Sequence, residues 1–205
     1  MQREKLVRDA FAAQAVWCDR LGSPFTARLM TALGRDLDRS TVTGKTVLEW
    51  SGQPDALGDS VPLRLAGALH ALVRRGQLPG LAKLYPPHTL PDTKALSAEA
   101  LAAIATCDDD VLVWLKHPPQ TNEVARSGVL YPGFMQIAAD TELPLALFEV
   151  GASAGLNMNP HLYAYDFDGN RYGDASSAVL IAPSWSGPAP GGIEPVIRTV
   201  RGCDR

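Results

Sequence analysis

Apolar side chains recur at helical spacing through most of the first 140 residues. Leu6, Val7, Ala10, Phe11, Trp17, Cys18 and Leu21 share one face at a 3.6-residue period, with Gln14 as the polar interruption and Gly22 as the stop. Ser23 as a cap and Pro24 in the first turn open a second helix, in which Phe25, Leu29, Met30 and Leu33 repeat the spacing. Turn formers across 51–60 predict a surface loop. Leu63, Ala66, Leu69, Leu72 and Val73 form a third stripe, closed by Arg74-Arg75-Gly76 as suits a helix C-terminus.

Prolines between Tyr85 and Pro91 break the pattern. Ser97 is then expected to cap a helix with Leu96 and Leu101 at staple positions, and Asp108 to Lys116 to form a short helix with an acidic start. Trp17 and Trp114, at helical spacing among apolar residues, are expected in the core. Thr121 or Asn122 can cap the next helix, which Tyr131-Pro132-Gly133 is expected to kink or split.

The pattern changes near Leu143. Leu143 to Val150 is a short, almost continuous apolar run ending at Gly151, which predicts a buried strand of a parallel sheet. Tyr163 to Phe167, the turn Asp168-Gly169-Asn170 and Arg171-Tyr172 predict a hairpin. Strands are also expected at 177–182 and from Val196 to Arg201. The expected architecture is α/β: a helical region over 1–140 and a strand-containing domain over 141–205.

With 46% hydrophobic and 20% charged residues, the chain of 205 residues has the mix of a folded globular protein. A net charge of −3 argues against a nucleic-acid surface. Cys18, Cys107 and Cys203 are too widely spaced for a disulfide framework or zinc site, and the four histidines lack paired spacing, so no metal is expected. The charged N-terminus and the lack of a long apolar run predict a cytoplasmic protein with no membrane partner.

Chemistry concentrates in Glu149-Val150-Gly151-Ala152-Ser153-Ala154-Gly155-Leu156-Asn157, where small residues follow a strand and open the next element. Small residues leave backbone N–H groups open to a ligand. The same glycines also suit a tight strand-to-helix connection with no ligand at all. G-x-S-x-G further matches the nucleophile elbow of α/β-hydrolases, with Ser153 as nucleophile, although His161, close behind it, is the last histidine in the sequence. Asn122, Glu123 and Arg126 are candidates for the lining of a neighbouring pocket, and helix capping accounts for them as well.

The spacing E-x-G-x-S-x-G resembles the E/D-x-G-x-G-x-G signature of S-adenosylmethionine-dependent methyltransferases, with Ser153 at the middle glycine. That resemblance implies a Rossmann-like fold and S-adenosylmethionine as cofactor. It places Glu149 against the methionine ammonium and Gly151, Ala152, Ser153, Gly155 and Asn157 in the cradle. Asp204 becomes the ribose carboxylate, with Asp166 as second candidate. The blocks Pro118 to Arg126, Leu147 to Asn157, Tyr172-Gly173-Asp174 and Arg201-Gly202-Cys203-Asp204 together resemble a bacterial family of uncharacterised proteins known only as a domain of unknown function. This second resemblance implies a helical region joined to a methyltransferase-like domain that continues past Arg205, so the sheet is expected to be truncated, with a β-hairpin insertion. The expected function is methylation of a small molecule, or a degenerate relative of such an enzyme. A non-catalytic scaffold and a serine hydrolase using Ser153 are the alternatives; oligomeric state is not legible.

Overall fold

The computed structural model describes residues 2–120 and 122–204 of a mixed α/β chain. It divides into two compact units, Met1–Pro119 and Gln120–Arg205. The division falls about twenty residues before the expected boundary at 140, because the last helix of the predicted helical region packs inside the second unit.

The first unit is all helix: α1 Gln2–Arg20, α2 Pro24–Asp36, α3 Val42–Leu48, α4 Val61–Arg74, α5 Pro79–Ala82, α6 Thr93–Thr106 and α7 Asp108–Leu115. The apolar stripes meet in one core, where Val7, Phe11, Leu29, Met30, Leu65, Leu69, Leu72, Leu96 and Ile104 are all buried. Each such side chain contributes about 1.5–3 kcal/mol of burial free energy. Trp17 is 54% exposed rather than core, lying at the edge of the stripe with Arg20 over its ring.

Helix α3 has too few residues for a legible stripe; Thr41 caps it by accepting the Gly44 N–H. Asp108 fastens its start, accepting the Val42 and Thr43 N–H groups at 2.8 Å each. The aspartate triplet therefore does more than begin α7.

Ser97 does not cap α6. Asp92 does, accepting the Lys94 and Ala95 N–H groups at 2.8 and 3.1 Å. Ser97 is buried within the helix, where its hydroxyl donates to Asp36. Asp92→Ala is expected to cost about 1 kcal/mol, as cap losses do, read from the midpoint of urea unfolding.

The Arg35 guanidinium and the Ser97 hydroxyl together hold the Asp36 carboxyl down at about 2. A lowered folded pKa adds stability above the unfolded value near 3.8 and loses it as pH falls toward 2. Solvent reaches 30% of the side chain, which trims the expected gain to about 1 kcal/mol. Asp36→Asn should flatten that part of the stability profile between pH 4 and pH 2, measured by urea unfolding across pH.

The second unit holds α8 Ser127–Thr141, β1 Leu145–Val150, β2 Ala164–Phe167, β3 Asn170–Gly173, β4 Leu180–Ile181 and β5 Ile197–Cys203. A 3-10 turn, Val124–Arg126, leads into α8, with Glu123 rather than Asn122 as its cap. Thr121, the other expected cap, lies outside the described residues. Pro132 does not split α8, because Tyr131 and Met135 on either side of it are both buried and hold the helix through.

Strands β1 and β5 pair in parallel as a two-stranded sheet, with Glu149 opposite Gly202 and Val150 opposite Cys203. β1 is not the buried strand that its apolar run predicts. It alternates half-buried and exposed positions, leaving Phe148 and Val150 exposed, because no second layer covers that face among the described residues. The hairpin is as expected. β2 and β3 run antiparallel through Asp168-Gly169, whose φ values of 53° and 88° suit a two-residue type I′ turn. β4 adds to β2 in parallel, shorter than the expected 177–182 strand.

Tyr131 of α8 stacks on Tyr165 of β2 at 4.1 Å, and Phe167 meets Trp185 at 5.0 Å. This aromatic core ties α8 to the small sheet. The three cysteines are unpaired. Among the described residues no helix is long and apolar enough to cross a membrane.

Candidate functional site

The parallel pairing of β1 and β5 carries both strands to the same end of the sheet. Chain leaves β1 through Gly151, whose φ of +72° is the left-handed conformation that glycine adopts without strain. Gly151 and Ala152 both donate their N–H to the Cys203 carbonyl, at 2.9 and 3.1 Å. The Ser153 N–H donates to the Asp204 carboxylate. Gly155 closes the turn on the Ala152 carbonyl at 2.7 Å.

Glu149, Gly151, Ala152, Ser153, Gly155 and Asp204 therefore belong to one turn at the strand ends, although Asp204 lies far along the chain. Asp166 does not join them. It accepts the Gly169 N–H at 2.7 Å and pairs with Arg171 at 3.0 Å, serving its own hairpin.

Of the three pocket candidates, one reaches this turn. Asn122 donates to the Ala152 carbonyl at 2.9 Å. Glu123 and Arg126 are exposed, and Glu123 spends a carboxylate oxygen on the Ala125 N–H. Asn157 is buried beneath the turn, where its side-chain oxygen accepts the Ser127 hydroxyl at 3.2 Å. Two polar atoms nearby have no hydrogen-bond partner among the described residues while shielded from solvent: Glu149 Oε2 and Asn122 Oδ1. Orphaned groups of this kind are uncommon in folded proteins and call for an explanation.

A strand-to-helix connection and a nucleophile elbow would both put a helix after Gly155. A single 3-10 turn, Leu156–Met158, stands there instead, so no α-helix N-terminus faces the loop. Asn159 and Pro160 follow at once, and proline limits continuation of the turn.

Sequence reasoning missed two features. A cavity of about 470 Å3 lies beside Glu149 and Asn157, walled by Leu130, Phe134, Leu147 and Met158. Gly202 is the other: a Cβ there would come within 2.6 Å of both Ala152 Cβ and Met158 Cε, so only glycine lets the turn lie this close to β5. A glycine inside a strand, two residues before Asp204, is the signal that could have found it.

Residues 8–205 match a family model described as an uncharacterized protein conserved in bacteria, DUF2332. The chain belongs to DUF2332. No curated protein matches it, and no solved structure does. In this DUF2332 chain the matched span takes in every residue of the turn, Glu149 to Asn157 and Asp204 alike.

Proposed function

We propose that this DUF2332 chain binds S-adenosylmethionine at the β1 turn and directs methyl transfer to a small molecule. The carrying observation is the meeting of Glu149, a glycine-flanked turn and Asp204 at the carboxyl ends of two adjacent parallel strands. Open α/β sheets bind ligands in that position.

The residues fit such a ligand on two counts. The shielded, unpartnered Glu149 Oε2 matches a cationic ammonium, which would supply the donors it lacks. The Gly151 N–H is spent on the Cys203 carbonyl, but a Cβ at Gly151 would meet nothing within 4 Å among the described residues, so its Cα face is open to close approach.

S-adenosylmethionine, when bound, supplies an electrophilic methyl group on a sulfonium. Glu149 holds the ammonium end. Asp204 accepts the Ser153 N–H, which holds its carboxylate beside the turn, where the resemblance puts the ribose hydroxyls. The apolar cavity beside Glu149 gives the acceptor a surface to lie on. Catalysis then rests on holding two reactants in line rather than on an acid or base. Titration calorimetry of the whole chain with S-adenosylmethionine and S-adenosylhomocysteine tests this reading: saturable binding is expected, and its absence from the folded chain would overturn it.

One observation favours a second reading. Ser153 has a φ of +51°, the strained backbone that a nucleophile elbow requires. The 3-10 turn that follows in place of a helix weighs against a hydrolase. Covalent labelling of Ser153 by a fluorophosphonate would establish the hydrolase and displace the methyltransferase.

A further inference from the structure

A cavity of about 400 Å3 in the helical unit shares no lining residue with the β1 turn, and its size is within the range of small-molecule sites. Phe25 and Leu29 of α2 form one wall, Ala66 and Gly67 of α4 the other, and Tyr85 lines it beyond α5.

Gly67 lies inside α4, where glycine weakens a helix relative to alanine. Packing does not demand it, since a Cβ at Gly67 would meet nothing within 4 Å. Gly34 in α2 shows the contrast: a Cβ there would come within 2.7 Å of Phe11 Cβ. Gly67 is exposed, and its missing side chain leaves the mouth of the cavity open.

Tyr85 is 8% exposed, its ring 4.4 Å from Phe25 and 5.6 Å from His70. Its hydroxyl is shielded from solvent and has no hydrogen-bond partner among the described residues. Burial pushes the phenol up to about 12, so it remains a neutral donor at ordinary pH. None of the described lining residues is Asp, Glu, Lys or Arg. A cation entering this site would meet no counter-charge on the described lining, where His70 is the titratable group besides Tyr85.

We propose that the cavity binds an uncharged, largely apolar small molecule with one hydrogen-bonding group. Its apolar body lies on Phe25, Leu29 and Ala66 and over Gly67, and its polar group supplies the partner that the Tyr85 hydroxyl lacks.

N-phenyl-1-naphthylamine is a suitable probe, being neutral, aromatic, furnished with one N–H and fluorescent in apolar surroundings. Titrated into the full chain, it should show saturable binding. Gly67→Leu fills the cavity with a better helix former, so the unfolding midpoint should hold or rise while probe affinity falls at least tenfold. Tyr85→Phe should raise the midpoint and weaken the probe severalfold. Unchanged affinity in a folded Gly67→Leu variant would overturn the proposal, as would no saturable binding to the parent chain. If Gly67→Leu lowers the midpoint, Tyr85→Phe decides, and unchanged affinity there would overturn it equally.

Discussion

Glu149→Ala is expected to weaken S-adenosylmethionine binding by about tenfold to a hundredfold, since a hydrogen bond to a charged group is worth about 1.5–3 kcal/mol. The fold should survive the change. Glu149 Oε2 is shielded and has no hydrogen-bond partner among the described residues, so the alanine removes an unsatisfied atom rather than a contact. Calorimetry gives the affinity, and urea unfolding of the same sample gives the stability. Lost binding with unchanged stability ties Glu149 to the ligand. Equal affinity in the two proteins would remove Glu149 from the site.

Gly173→Ala is expected to destabilise the second unit by about 2–5 kcal/mol. Gly173 ends β3 with a φ of +73°, which costs an L-residue about 1–2 kcal/mol. A Cβ there would also run into the Tyr163 carbonyl oxygen and come within 3.0 Å of the buried Tyr165 ring. Forcing atoms into a packed site adds about 1–3 kcal/mol.

Gly169→Ala is the control. It shares a positive φ of 88° but a Cβ there meets nothing within 4 Å, so only the backbone cost of about 1–2 kcal/mol applies. Urea unfolding of the two variants separates clash from backbone strain. Near-ultraviolet circular dichroism of the Tyr131, Tyr165 and Phe167 stack reports on the same unit. A smaller effect for Gly173→Ala than for Gly169→Ala would contradict the packing around β3.

Helices α1, α2 and α4 could be read from the chain because each carries a stripe long enough to show a period and ends in local signals such as Pro24 or Gly76. The hairpin could be read for the same local reason, its turn residues Asp168-Gly169 standing between alternating strands. Helix α3 could not, since seven residues show too little periodicity and its start is secured by Asp108, far along the chain. The cap of α6 was misplaced for a related reason. Ser97 and Asp92 are both good capping residues, and burial of Ser97 against Asp36 decides between them.

The candidate site divides along the same line. Glu149 and the turn Gly151–Gly155 were legible because a local pattern of small residues carries its own backbone geometry. Asp204 was legible only as a carboxylate after a strand; parallel pairing of β1 with β5 brings it to the Ser153 N–H. Asn122 and Glu123 are neighbours in sequence, yet one reaches the Ala152 carbonyl and the other faces solvent.

Thus the sequence by itself determined the α/β class, the main helical stripes, the hairpin and the small-residue turn after β1, because each depends on contacts within a few residues. Tertiary structure alone decided the division after Pro119, the orphaned oxygens of Glu149 and Asn122, the half-exposed state of β1 and the open space at Gly67. These depend on which distant segments pack together, and neither periodicity nor capping chemistry specifies that.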